Sequence, residues 1–314
     1  MTVSVDNKVL SENGIVTDLA KLLGARHWAQ GLKLFSRQAA RNLLLGNVRS
    51  RYRGRGMEFE EVRRYQAGDD IRTIDWKVSA RASGTYTKLF CEERERPCHI
   101  LVDQRSSLFF GSNRQFKSVL SAELASGIAW AALKAGDRVG GQVIGDFDER
   151  DIRARRSKQS VLSLIHSIHE FNNGLSDVAN HESNGEKNSL ANSLEECRRI
   201  TRPGTAIYVV SDFHDFDHEA AKALSNLGKH ADLTLMQVYD PLEQELPNLG
   251  AVRLSNGQQS AKLNLSKSIT QAYQEQSNEK QNLLISSATK ARAYYASINT
   301  SQSAKQSLIR LFAK

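Results

Sequence analysis

Residues 99–103 read HILVD, a short apolar run that ends in a carboxylate, and QRSS follows at 104–107. A run of this length and composition is typical of a strand buried in a parallel sheet. After it, apolar residues recur at helical spacing over 115–134, and Gly136 is a suitable helix stop. One buried strand followed by one long helix is the first half of a βαβ unit.

The same alternation of strand and helix continues to residue 239. Strand patterns occupy 138–144, 151–154, 206–210 and 233–239, and helix patterns occupy 159–171, 190–200 and 219–230. Alternation of this kind predicts an α/β fold with a doubly wound, mostly parallel sheet. Asn256-Gly257 predicts a hairpin within 252–265.

Four parts of the chain follow from these patterns. Residues 1–46 are predicted to form amphipathic helices, and 47–97 a charged segment packed on the main domain. Residues 98–245 form the α/β domain, and 246–314 the hairpin and a C-terminal helical tail. The longest apolar stretch, 124–133, is too short to cross a bilayer, and the first residues lack a signal-peptide pattern. Three cysteines without a CxxC predict reduced thiols. These features together predict a cytoplasmic protein without a transmembrane segment.

Residues 56–81 (GMEFEEVRRYQAGDDIRTIDWKVSAR) are the most highly charged stretch. They predict a partly buried network in which arginine forks meet carboxylates around an aromatic anchor. Its members are Glu58, Arg63, Arg64, Asp69, Asp70, Arg72, Asp75, Trp76 and Arg81. A charged surface loop with an aromatic anchor is the alternative interpretation.

Two predicted strands end in aspartate, at Asp103 and at Asp212 after Ser211. In a doubly wound sheet, ligands bind outside the carboxyl ends of the strands, and carboxylate and hydroxyl oxygens are ligands for Mg²⁺. The polar loop at His214, Asp215, Asp217 and His218 is explained equally well by an N-capping aspartate.

The chain resembles the bacterial DUF58 family, a family of unknown function related to von Willebrand factor A domains. The motifs are GMEF at 56–59, RRY at 63–65, GDDIR at 68–72, IDW at 74–76 and AR at 80–81, continued by VD at 102–103, GDRVG at 136–140 and SDF at 211–213. The resemblance implies a von Willebrand factor A-like fold. It also implies partnership with MoxR-type AAA+ ATPases and other von Willebrand A-domain proteins.

Von Willebrand A domains bind a divalent metal through D-x-S-x-S, a threonine and a further aspartate. Asp103, Ser107 and Asp212 match this set, whereas Arg105 replaces the first serine and Asn188 or Ser189 the threonine. The resemblance therefore implies a degenerate site. We expect Arg105 to replace the ion, to pair with Asp103 or Asp212, and to offer a positive charge to a partner's carboxylate. No cofactor is predicted, and bound Mg²⁺ is the alternative.

The predicted function is that of a non-catalytic adaptor, with Asp103, Arg105, Ser107, Asn188 and Asp212 forming the partner-binding face. A metal-dependent hydrolase that uses Asp69, Asp70 and Asp75 is one alternative. A nucleic-acid-binding protein is the other, because the net charge is +8 and arginines alternate over 49–55. Only Tyr52 in that run could stack on bases, so nucleic-acid binding is not favoured. The sequence has no Walker loop, dinucleotide fingerprint or G-x-S-x-G elbow.

Overall fold

The computed structural model describes residues 14–34, 57–92, 97–178, 187–244, 251–255, 260–264 and 267–312. The chain divides into two compact units, one comprising Met1–Asn47 with Arg96–Lys314 and the other Val48–Glu95. Residues 1–13 and 35–46 of the predicted helical segment, and the arginine run at 49–55, lie outside the described residues.

The elements follow in chain order. They are α1 (Leu19–Trp28), β1 (Met57–Arg64), α2 (Trp76–Ser79), β2 (Tyr86–Glu92), β3 (Pro97–Asp103), α3 (Lys117–Lys134), β4 (Arg138–Ile144), β5 (Glu149–Arg155), α4 (Lys158–Val178), α5 (Leu190–Ile200), β6 (Ala206–Ser211), α6 (His218–Gly228), β7 (Asp232–Tyr239), α7 (Pro241–Gln244), β8 (Ala251–Ser255), β9 (Ser260–Asn264), α8 (Lys267–Lys290), β10 (Tyr294–Asn299) and α9 (Ala304–Phe312). The bounds of β4 and α5 are those the sequence predicts.

The larger unit is built on a six-stranded sheet in the order β10-β7-β6-β3-β4-β5. Neighbouring strands are parallel except β4 and β5, which are antiparallel. Counted along the chain within the sheet, the order is 3-2-1-4-5-6, and it reverses direction between β3 and β6. This point is the topological switch of a doubly wound sheet, where ligands bind in such folds. The predicted α/β class is confirmed.

Helices cover both faces of the sheet. Because side chains alternate along a strand, Ile100 and Val102 of β3 enter one core while Leu101 enters the other. The first core is shared with α1, α3, α4 and α9, and the second with α5, α6 and α8. Helix α1 lies so close to α3 that a Cβ added at Gly127 would come within 2.4 Å of the Trp28 ring. Glycine is therefore needed there to leave room for that ring.

The C-terminal tail differs from its prediction. Residues 267–290 and 304–312 are helical, but β10 lies between them and pairs in parallel with β7 at the edge of the sheet. Ala296 and Ile298 are buried, and Ser297 between them is exposed. The period of two is present in YYASIN, but it covers too few residues to stand out within a polar tail. Strands β8 and β9 pair antiparallel where the hairpin is predicted, and its Asn256-Gly257 turn lies outside the described residues.

The smaller unit contains the antiparallel pair β1 and β2, with a bulge between Phe59 and Glu61. The loop after β1 is stabilised by aspartates that accept backbone N–H groups. Asp70 accepts from the N–H of Arg72, and Asp75 from those of Lys77 and Val78 at the start of α2. Trp76, the predicted anchor, is 68% exposed. Trp76 is the first residue of a four-residue helix, and this single turn is too short to bury both faces of the Trp76 ring.

We expect Asp75→Ala to accelerate amide hydrogen exchange at Lys77 and Val78 about tenfold, because both N–H groups lose their acceptor. The unfolding temperature should fall by a few degrees. Arg72→Ala is the matched control, since it is the backbone of Arg72 that contacts Asp70. Equal exchange in the two variants would contradict a capping role for Asp75.

No helix among the described residues is long and apolar enough to cross a membrane.

Candidate functional site

The candidate site lies where the sheet reverses its strand order. Asp103 is the last residue of β3, Ser211 is the last residue of β6, and Asp212 follows. The Ser211 hydroxyl donates to Asp103 Oδ2 over 2.6 Å and accepts from the N–H of Phe213. Phe213 has a φ of 55° and turns the chain back, so that the N–H of His214 reaches Asp212 Oδ1. Parallel pairing of the two strands therefore brings Asp103 and Asp212 to one edge.

Arg105 is held between two carboxylates. It donates to Asp103 through Nε (2.9 Å) and Nη2 (2.7 Å), and to Asp215 through Nη1 (2.6 Å) and Nη2 (2.9 Å). Nη1 also donates to the carbonyl oxygen of Asn188 over 3.1 Å. A guanidinium has five N–H donors. All five are used, so no donor of Arg105 is left for a partner.

The charges of this cluster depend on one another. Burial raises the pKa of the Asp103 carboxyl group, although Arg105 and Ser211 favour its charged form. Burial alone would lower the pKa of Arg105, but Asp103 and Asp215 outweigh it and raise that pKa above its ordinary value. Burial would raise the pKa of Asp215, but Arg105 outweighs it and holds that pKa below its usual range. We conclude that the pair of Asp103 and Arg105 is ionised at neutral pH, because two direct hydrogen bonds join it.

A second buried cation neutralises Asp212. Lys117, the first residue of α3, is 1% exposed, and its Nζ lies 2.9 Å from Asp212 Oδ2 and 2.6 Å from Glu243 Oε1. Burial would lower the pKa of Lys117, but the two carboxylates outweigh it and raise that pKa. A lysine in the first turn of a helix opposes the helix dipole. That unfavourable position is the signal by which the sequence could have indicated Lys117.

A third strand end, after β7, carries the buried Asp240. Its carboxylate accepts from the N–H and hydroxyl of Ser112, the hydroxyl of Thr300 and the N–H of Leu242. Burial would raise its pKa, but these hydrogen bonds hold the pKa below its usual value. Asp240 follows a predicted strand as Asp103 does, so the same pattern could have identified it.

The other two predicted residues are also at this edge. Ser107 is half-buried, and its Oγ has no hydrogen-bond partner within the described part of the chain. Asn188 accepts from Arg105 through its backbone, while its side chain donates to the carbonyl groups of Gly145 and Asp148. The expected pairing of Arg105 with Asp103 is therefore present. The second carboxylate that pairs with Arg105 is Asp215 and not Asp212. Asp217, two residues after Asp215, caps helix α6.

These residues do not suit a divalent cation. Mg²⁺ needs several oxygen ligands in octahedral geometry. Asp103 is occupied by Arg105 and Ser211, and Asp212 by Lys117, so both carboxylates already contact a hydrogen-bonded cation or hydroxyl. Over the described ranges, no group of three or more His, Cys, Asp or Glu side chains is arranged to hold a metal.

The described side chains of the charged stretch at 56–81 show two ion pairs. Arg63 Nη2 contacts Asp69 Oδ1 at 2.6 Å, and Lys88 lies 3.5 Å from Asp75. Among the side chains described at 62–88, Arg64, Arg72 and Arg81 form no ion pair, and the Glu58 side chain lies outside the described residues. All three aspartates also accept hydrogen bonds from backbone N–H groups, because they lie in turns. Each is bound to a different turn, which is not the arrangement of a hydrolytic metal centre.

A family model described as "Protein of unknown function DUF58" matches residues 61–283. The chain belongs to this family. Uncharacterized proteins Rv1480 of Mycobacterium tuberculosis and Mb1516 of Mycobacterium bovis are each 26% identical to this DUF58 protein over 227 residues, which is 72% of this chain and 69% of each relative. A solved structure of the conserved hypothetical protein BatB from Bacteroides thetaiotaomicron aligns with a TM-score of 0.41 and 16% identity, covering 68% of this chain and 96% of that one.

Proposed function

We propose that this DUF58 protein is a non-catalytic adaptor of von Willebrand factor A-like fold that works with a MoxR-type AAA+ ATPase in the cytoplasm. Its role would be the maturation or assembly of another protein. The observation that carries the proposal is the internal neutralisation of Asp103 and Asp212 by Arg105 and Lys117. In von Willebrand A domains, the aspartates that correspond to Asp103 and Asp212 bind the metal. Binding of a partner by this protein would therefore have to proceed without the ion.

The proposed docking face is the edge around Asp103, Arg105, Ser107, Asn188 and Asp212. The cluster of Arg105 and Lys117 with Asp103, Asp212, Asp215 and Glu243 holds two cations and four carboxylates. Its formal charge is therefore −2. Because the arginine donors are all used, the face would attract a basic surface of the partner rather than a carboxylate.

His214 offers a way to test this face without disturbing the buried pairs. Its side chain is exposed next to Asp212, and its backbone N–H makes the contact with that carboxylate. His230 is also exposed, but it precedes β7 at the opposite, amino-terminal edge of the sheet. His214→Glu and His230→Glu thus make the same chemical change at the two edges.

The experiment measures co-elution with a MoxR-type ATPase from the same genome, with and without ATP. We expect the wild type and His230→Glu to associate with the ATPase with similar affinity. His214→Glu should bind it at least tenfold more tightly, because it adds a negative charge to a face that attracts a basic surface. Calorimetric titration of the wild type with Mg²⁺ and Mn²⁺ should show no micromolar binding. Absence of association by the wild type in both nucleotide states would contradict the adaptor role, and micromolar metal binding lost in Asp103→Ala would contradict the closed site.

A further inference from the structure

A cavity of about 350 Å³ lies beside the loop at 145–148, which joins β4 to β5. The loop contributes Asp146 and Phe147, and helix α4 contributes Glu170, Phe171 and Leu175. The volume is at the lower end of the range for small-molecule sites. The cavity is therefore large enough for one short side chain or a small organic ion.

Asp146 in this cavity has an unsatisfied oxygen. The residue is 7% exposed, and its Oδ1 accepts from the N–H of Ser106 over 3.3 Å. Its Oδ2 is buried and accepts no hydrogen bond from any residue that the structure describes. A buried carboxylate oxygen without a donor is unfavourable. Because the oxygen is shielded from solvent, a donor from outside can reach it only by displacing the side chain beside it.

One ammonium group already lies close to that oxygen. Nζ of Lys187 is 3.6 Å from Asp146 Oδ2, 3.4 Å from Ser106 Oγ and 5.9 Å from the centre of the Phe147 ring. A carboxylate, a hydroxyl and an aromatic face are the three groups that recognise an ammonium ion. The distance of 3.6 Å is too long for a hydrogen bond, and the Lys187 side chain is 61% exposed. Lys187 therefore holds this position only weakly.

The charged groups on the opposite wall of the cavity are paired with each other. Glu170 forms an ion pair with Arg150, and the Arg150 guanidinium lies 5.4 Å from the centre of the Phe171 ring. Gln104 also lines the cavity, but its amide is already bonded to Ser118 and Asn172. Asp148 also lines the cavity, so its carboxylate and that of Asp146 favour a cation, while Phe171 and Leu175 provide apolar surface for a carbon chain.

We propose that a primary alkylammonium group binds at the edge of this cavity in place of the Lys187 ammonium group, with Asp146 as its anion and Phe147 as its aromatic contact. A metal ion would need more oxygen ligands than Asp146 and Ser106 supply. An anion would be repelled by Asp146. The proposal goes beyond the adaptor role and does not depend on which protein is the partner.

Two sources could present this group, namely a free diamine and a lysine side chain of another protein. Cadaverine serves as the probe for the first and Nα-acetyl-lysine N-methylamide for the second. Nα-acetyl-norleucine N-methylamide has the same carbon chain without the ammonium group and is the ligand control. Binding is followed by the amide chemical shifts of Gly145, Asp146 and Phe147 in the full-length protein.

We expect the lysine probe to bind with a Kd on the order of 1 mM and the norleucine probe not to bind. Lys187→Ala should tighten binding about fivefold or more, because the protein's own ammonium group no longer competes for Asp146. Asp146→Asn, which keeps an acceptor for Ser106, should weaken binding at least tenfold. Lys158→Ala removes an exposed lysine at the start of α4 and should leave the Kd unchanged.

Stronger binding of cadaverine than of the lysine probe would assign the site to free amines, and the reverse to a protein partner. The proposal is overturned if neither amine binds to the Lys187→Ala protein. It is equally overturned if the norleucine probe binds as well as the lysine probe, or if Lys187→Ala and Lys158→Ala have the same Kd. The Lys187 arm decides the outcome even if Asp146→Asn fails to fold.

Discussion

Replacing Arg105 with leucine is expected to lower the unfolding temperature by roughly 10 °C, one of the two largest effects proposed for this protein. Arg105 is 6% exposed and Asp103 is fully buried. Removing one member of a buried ion pair leaves the other charge uncompensated, which costs about 3–5 kcal/mol. Asp215 loses the same partner, but its side chain is 34% exposed and water can solvate it. Most of the loss therefore comes from Asp103.

The pH dependence of this loss separates charge from shape. Without Arg105, burial raises the pKa of Asp103 further above its unfolded value, so the folded state binds more protons than the unfolded state. Stability then falls as the pH rises between these two pKa values. The difference between Arg105→Leu and the wild type should accordingly be larger at pH 8 than at pH 5. A pH-independent difference would mean that leucine fails only because of its shape.

Two controls complete this experiment. Arg202→Leu removes an exposed arginine from a loop and should change the unfolding temperature by less than about 2 °C. The double variant Asp103→Asn with Arg105→Leu removes both charges, and it should regain at least half of the stability lost in Arg105→Leu, since an unpaired amide is less costly to bury than an unpaired carboxylate. A double variant as unstable as the single one would contradict the assignment of the loss to the charge of Asp103.

The sequence predicts the sheet better than it predicts the site. Runs such as 99–103 and 206–210 indicate strands because burial on both faces requires continuous apolar residues. Strand β10 lacks such a run. It is an edge strand that is buried on fewer sides, so its sequence mixes polar and apolar residues. The pairing of Arg105 with Asp103 could be anticipated because the two residues are close in sequence at a strand end.

The rest of the site depends on contacts between distant parts of the chain. Asp215 is 110 residues from Arg105, and Lys117 is 95 residues from Asp212. Which loops meet depends on the strand order, and the pattern of apolar residues does not specify that order. Trp76 shows the converse limit. Its residue type predicts burial, but its place in a single turn leaves it exposed.

Replacing Lys117 with methionine is the second large effect that we expect, a loss of about 3–5 kcal/mol. Methionine has a similar length and favours helix, so α3 should keep its conformation. The Asp212 side chain is 3% exposed, and without Lys117 its Oδ2 loses the cation that lies 2.9 Å away. Glu243 is 32% exposed and can turn toward solvent. The loss should thus be assignable to Asp212 alone.

Lys134→Met is the matched control, because Lys134 is exposed at the other end of the same helix. It should leave the midpoint of urea unfolding within experimental error, whereas Lys117→Met shifts that midpoint strongly to lower urea. Adding Asp212→Asn to Lys117→Met should restore much of the stability, as in the pair of Arg105 and Asp103. If the double variant regains its stability but no longer associates with the ATPase, then Asp212 serves the docking face as well as the fold. If Lys117→Met unfolds at the same urea concentration as Lys134→Met, the buried pair contributes nothing to stability, and the conclusion that Lys117 neutralises the strand end is wrong.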